Sequence, residues 1–158
     1  MKAIAPGKLI LTGEHAVVYG KPAIAMAVDR SAQSIIVPGG AHDEISFEMQ
    51  DFSQQESLTV RALRELKNRV MKNYRLFLEG RLGIREVLYK PVELFQFAFI
   101  TILDGLHLKV ADGFKIQLRS NIPIGCGMGS SAATVLSTLR AIGHYFRVDF
   151  RPEWYQAY

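Results

Sequence analysis

The sequence predicts a mixed α/β domain in which helices pack on a mixed sheet, and three observations carry that expectation. Segments 44–49 and 114–118 alternate apolar and polar residues with the two-residue period of strands. Segments 57–82 and 91–106 repeat apolar residues at helical spacing. Finally, Pro123-Ile-Gly-Cys-Gly-Met-Gly-Ser-Ser-Ala-Ala133 sets alternating glycines ahead of two hydroxyl residues, between a strand and a further apolar-periodic helix.

Taken in order, Lys2 to Ala5 and Lys8 to Thr12 read as two short strands on either side of Pro6-Gly7. A loop over 13–21 leads to a long strand region from Ala23 to Val37, and Gly39-Gly40 marks a turn. Glu44 to Met49 is a strand and Ser57 to Leu82 a helix. Pro91 to Leu106 is a second, more buried helix, because it carries the longest apolar stretch of the chain, Leu94 to Leu103, interrupted by Gln96. Asp112-Gly113 turns into the strand beginning at Phe114. The last full helix, Ala132 to Phe146, carries its apolar stripe on Ala132, Val135, Leu136, Leu139, Ile142 and Phe146. Pro152 to Tyr158 opens another helix with Arg151 or the preceding turn at its cap. With 158 residues, no internal repeat and no low-complexity linker, one domain is the simplest account.

The charge balance is 19 basic against 15 acidic residues, formally +4. The surplus gathers in Arg61, Arg64, Lys67, Arg69, Lys72, Arg75, Arg81 and Arg85, at helical spacing with Leu63, Leu66, Val70 and Leu78. A basic amphipathic helix suits an interaction module for nucleic acid or an anionic membrane. Glu65 and Glu79 break the run and no base-stacking aromatic pattern accompanies it, so a solvated face beside an anion-binding site is expected, with no nucleic-acid or membrane partner. The start has no secretory apolar region and the longest apolar run is too short to span a bilayer. A single cysteine, Cys126, fits a reducing compartment. A cytoplasmic protein is expected.

The glycine stretch has the chemistry of a phosphate cradle. Glycine lets backbone approach an anion closely, and the free amides and dipole of a helix's first turn favour negative charge there. Ser130 and Ser131 are placed to cap the helix or to reach a metal. The string lacks the lysine of a Walker loop and the spacing of the dinucleotide fingerprint.

A second stretch, Ala5-Pro-Gly-Lys-Leu-Ile-Leu-Thr-Gly-Glu-His-Ala-Val-Val-Tyr-Gly-Lys-Pro-Ala23, joins it. Together the two resemble the first and second signature motifs of the GHMP kinase superfamily, and Gly13 to Pro22 is similar to the mevalonate kinase form. The second motif departs from the usual Gly-Leu-Gly at Met128. The resemblance implies the family's N-terminal ATP-binding domain over 1–158, ATP and Mg²⁺ as cofactors, and phosphoryl transfer to the hydroxyl of mevalonate or a related alcohol.

The family's residue roles carry over onto matching positions. Gly125, Cys126, Gly127, Met128, Gly129, Ser130 and Ser131 are the expected nucleotide-binding loop, with Ser131 also on Mg²⁺ and Ser120 at a nucleotide-contacting position. Lys8 is the expected catalytic residue, near the transferred phosphate, and Glu14 and His15 are expected near the acceptor's polar groups. His42, His107 and His144 show no metal-ligand spacing with His15. The family's third motif has no counterpart in the sequence, and its second Mg²⁺ ligand and proposed base fall beyond Tyr158. Asp149 and Glu153 do not match them. The implied C-terminal domain is therefore missing, and the chain is expected to be inactive alone, as a fragment, a truncated gene product or one subunit of a split kinase that binds a complementary C-terminal chain or self-associates. A non-catalytic nucleotide-binding or regulatory domain is the alternative.

Overall fold

The computed structural model describes residues 1–50 and 53–150. Within them the chain forms strands β1 (Lys2–Thr12), β2 (Ile24–Pro38), β3 (Glu44–Met49), β4 (Gln54–Thr59) and β5 (Phe114–Ser120), with helices α1 (Val60–Leu78), α2 (Val92–Gly105) and α3 (Ser130–Phe146). The expected helix at Pro152 to Tyr158, together with Arg151 and Glu153, lies outside the described residues.

The strands make one five-stranded sheet in the order β1-β2-β5-β3-β4. β5 pairs antiparallel with β2 and parallel with β3, so the last of these strands in the chain occupies the centre of the sheet. Alternation decides which face is covered. Ala3, Ala32, Ile36, Ile45, Phe47, Phe114, Ile116 and Leu118 are buried, with α3 across β1, β2 and β5 and α2 between α1 and α3. Phe99 of α2 ties the layers together, its ring centroid 5.7 Å from Phe47 and 5.9 Å from Phe114. The other face is polar: Gln117 donates to Glu48 at 3.0 Å and Lys115 stands 3.6 Å from the same carboxylate. The Gln117 hydrogen bond, aided by Lys115, holds the Glu48 carboxyl below its ordinary range. A sheet with one wet face reads as alternation in the sequence.

Several element boundaries differ from the sequence expectation, those of β1 and α1 most. The segments 2–5 and 8–12 are one strand: pairing passes from Pro6 opposite Ser31 to Lys8 opposite Ala27, so β2 carries extra residues at a bulge. Pro6 is tolerated because β1 lies at the sheet edge. The expected helix over 57–82 begins later, since residues 57–59 belong to β4, paired with β3 from Gln54 opposite Met49 to Thr59 opposite Glu44. Thr59 then caps α1, its hydroxyl accepting from the Ala62 amide at 3.2 Å. The helix ends at Leu78, short of the expected residue 82, and the amides of Gly80 and Arg81 return to the carbonyls of Phe77 and Leu76 at 2.9 Å each.

Candidate functional site

Gly125, Gly127 and Gly129 have φ of 77°, 70° and 71°, alternating with residues of negative φ. Alternation of this kind is the geometry of a backbone nest, in which successive N–H groups turn toward one concavity that suits an anion. Side chains at these φ values are strained, which is the reason for glycine at every second position. Among the described residues, no protein acceptor takes the amides of Gly127, Gly129, Ser130 or Ser131. These donors open onto the N-terminus of a helix of 17 residues.

The serines do not cap the helix, contrary to one of the two roles expected of them. The N-cap is Gly129 itself, in the left-handed region, with no side-chain cap. Ser131 is exposed, while Ser130 sits beside Ser120, their hydroxyls 3.5 Å apart. Deeper in α3, Ser137 and Thr138 both donate to the Thr134 carbonyl, at 2.9 and 2.8 Å. Ser34 of β2 lies 2.7 and 3.0 Å from those two hydroxyls. Because each of them already directs its hydrogen at Thr134, the single Ser34 hydroxyl hydrogen is left to be given to one of them or shared between the two. This buried cluster fixes the rotation of α3 on the sheet, and with it the aim of the first-turn amides.

Lys8 comes to the loop from β1. Its amide donates to the Met128 carbonyl at 3.0 Å. Its side chain runs along Gly129, with Cγ 3.4 Å and Cε 3.7 Å from where a Cβ on Gly129 would stand. Gly7 makes the approach feasible, since a Cβ there would meet the Met128 carbonyl oxygen at 3.1 Å and Ile122 at 3.3 Å.

The loop forms one wall of a cleft of about 870 Å³. Ser120, Gly125, Gly127, Met128, Gly129, Ser130 and Ser131 line it, and Leu88, Tyr89, Leu94, Ile122 and Ile124 make an apolar remainder. Arg85, Lys90 and Arg119 supply positive charge, and none of the described residues that line the cleft is Asp or Glu. Lys90 pairs with Glu56; the hydrogen bond between them raises the lysine's pKa and, against some desolvation, lowers the carboxylate's.

Comparison with known proteins settles the family. A family description, GHMP kinases N terminal domain, matches residues 93–157. The chain is 33% identical over 148 residues to a mevalonate kinase of Methanocaldococcus jannaschii, covering 94% of this chain and 41% of the relative. It is 32% identical over 157 residues to a mevalonate kinase of Pyrococcus furiosus, covering 96% and 41%. A crystal structure titled as the Methanococcus jannaschii mevalonate kinase superimposes with a TM-score of 0.75 at 31% identity, over 99% of this chain and 44% of that one. The chain belongs to the GHMP kinases. It spans about two fifths of the length of these curated relatives.

Within this GHMP kinase domain the sequence-expected residues do not all meet. The loop and Ser120 line the cleft, and Lys8 meets the loop at Met128 and Gly129 without being among the cleft-lining residues. Cys126 is exposed, its thiol 3.8 Å from the Ile124 carbonyl, and is not among the cleft-lining residues. Glu14 and His15 stand on an exposed turn whose later amides, Ala16 and Val17, return to the Gly13 carbonyl at 3.1 and 3.0 Å. Of the basic run from Arg61 to Arg85, Arg85 lines the cleft and no residue of α1 does. Arg64 and Lys67 bind Asp104 at 3.1 and 3.0 Å, and Arg69 binds Glu93 at 2.8 Å, so α2 carboxylates neutralise part of it. Among the described residues no cluster of three or more His, Cys, Asp or Glu is placed to hold a metal, and no helix is long and apolar enough to cross a membrane. The apolar wall at Leu88 and Tyr89 was not signalled by periodicity; an aromatic between two helices, just ahead of Pro91, is its only trace in the sequence.

Proposed function

We propose that residues 1–158 are the nucleotide-binding N-terminal lobe of an ATP-dependent kinase of the mevalonate kinase type, which phosphorylates the hydroxyl of mevalonate or a related alcohol in the cytoplasm. The observation that carries this reading is the glycine nest at the start of α3, with unpartnered amides and the Lys8 side chain laid along Gly129. The curated mevalonate kinases named above support the acceptor.

In this reading the amides of Gly125 to Ser131 hold the nucleotide phosphates, and the apolar remainder of the cleft takes the nucleoside. Lys8 offers a fixed positive charge where negative charge develops on the transferred group. Mg²⁺ neutralises phosphate charge when bound, and commonly takes only one or two protein oxygens beside phosphates and water. The exposed Ser131 hydroxyl, for which the described residues show no hydrogen-bond partner, fits that limited demand. Glu14 and His15 are proposed to meet the acceptor. Among the described residues no carboxylate lines the cleft, and the base and a second Mg²⁺ ligand are assigned to a C-terminal domain, in the same polypeptide or a partner chain. That same observation favours one other reading, a lobe that binds nucleotide without transferring phosphate.

Titration of the chain with Mg-ATP, followed by the amide resonances of residues 125–131, tests the site. Those resonances shift, and Ser131→Ala weakens the Mg²⁺-dependent part of binding. A loop unperturbed at millimolar Mg-ATP overturns the phosphate assignment; a loop that responds with unchanged binding in Ser131→Ala removes the metal role alone.

A further inference from the structure

We propose that Arg69 and Glu93 are positioning residues for the cleft, holding the ring of Tyr89 as the wall on which a nucleobase stacks. This rests on the nucleotide reading of the cleft. Tyr89 is 66% exposed and lines the cleft, yet it sits on the connection between α1 and α2, where the backbone offers only a short 3₁₀ turn at Ile84–Glu86. An aromatic ring on such a connection samples many orientations unless something holds it.

Two neighbours do. The Tyr89 amide donates to Glu93 Oε2 at 2.8 Å, tying the backbone to the first turn of α2. The guanidinium of Arg69 lies over the ring, 4.2 Å from its centroid. Arg69 Nη2 in turn donates to Glu93 Oε1 at 2.8 Å, closing a loop of three residues in which each fixes the other two. The Glu93 side chain is only 8% exposed. Arg69 Nη1 is buried without a hydrogen-bond acceptor among the described residues, so the ring face is left as its partner.

An ion pair with one partner buried is weak evidence for stability, because desolvation offsets much of its attraction. Linking α1 to α2 does not require it either, since Arg64 and Lys67 already join α1 to Asp104. What the pair adds is a planar cation against one face of Tyr89. A lysine at position 69 would keep the charge on Glu93 and lose that plane.

The test compares Mg-ATP with Mg-tripolyphosphate, which keeps the phosphate chain and lacks the base, by calorimetry on the full chain. The wild-type chain binds ATP more tightly than tripolyphosphate. Tyr89→Ala lowers ATP affinity roughly tenfold, as loss of a base–aromatic stack does, and leaves tripolyphosphate unchanged, while Tyr89→Phe behaves as wild type. Arg69→Lys, which preserves the counterion of Glu93, lowers the ATP preference by about threefold and has no further effect in a Tyr89→Ala background. The proposal is overturned by a wild-type preference in Arg69→Lys or in Tyr89→Ala, or by an Arg69→Lys loss that persists without Tyr89. Equal wild-type binding of the two ligands overturns it and leaves the phosphate site standing; binding of neither removes the nucleotide reading as well.

Discussion

Gly7 matters to the site through an absence. A methyl group there would press on the Met128 carbonyl, on Val28 at 3.2 Å and on Ile122, three neighbours from three different segments. Gly7→Ala is expected to push the glycine loop off β1, break the bond from the Lys8 amide to Met128 and cost about 1–3 kcal/mol, as overpacking does. A denaturant midpoint and the hydrogen-exchange rate of the Lys8 amide measure this; an unchanged exchange rate would show that the loop does not depend on that contact. Cys126 gives an independent readout because it is exposed within the loop. Saturating Mg-ATP should slow its alkylation, and equal labelling rates with and without nucleotide would count against bound phosphates beside it. The glycines of the loop are legible in the sequence because their spacing is itself the signal. Gly7 is not, since its constraint comes from residues distant in the chain that only the fold brings near. Tyr89 is hidden for a related reason: what makes it a wall is Arg69, one helix away.

Among the elements, α1 shows where pattern reading fails. Its apolar spacing extends back toward residue 57, but Gln54 to Thr59 pairs with β3, and the sheet edge takes residues that local periodicity assigns to the helix. Thr59 serves both elements, so Thr59→Ala should cost about 1 kcal/mol through loss of the cap, read from thermal or denaturant unfolding; a loss confined to noise would mean that strand pairing alone sets the helix start. The α1–α2 contact adds a pH dependence. Burial works to raise the Asp104 pKa, but hydrogen bonds and charge from Lys67 and Arg64 outweigh it, and the folded value lies below the ordinary 3.8. The unfolded chain therefore takes up this proton first on acidification. The stability Asp104 contributes is present above that ordinary value and disappears as pH falls through the depressed one. Unfolding measured across that range should show a shallower acid decline in Asp104→Asn than in the parent, and identical slopes would remove Asp104 from the account. By contrast β3, α2 and the glycine-loop-to-α3 unit are legible nearly to the residue, because strict alternation, a long apolar run and clustered glycines each admit few alternatives.

At the scale of the whole molecule, the lack of an acidic residue among the described residues of the cleft governs the expected activity. The chain alone should release no ADP above background with mevalonate, and a C-terminal domain from a curated relative should restore turnover that Lys8→Ala then abolishes. Each missing electrostatic contact costs roughly 10²–10³ in rate. Robust turnover by the isolated chain would require a base among its own residues, and failure of a folded complement would favour binding without transfer. The central place of β5 has a consequence for how the protein is made. Phe114 must insert between Pro38 and Ile45, strands synthesised long before it. Until it emerges from the ribosome, β2 and β3 present unpaired edges to one another and to other chains. Only then is the loop at Pro123 delivered, so a nascent chain that has not yet closed its sheet lacks it as well. On the proposed reading, retention on immobilised ATP would therefore sort finished molecules from nascent ones, and the ligand would act as an inspector of folding.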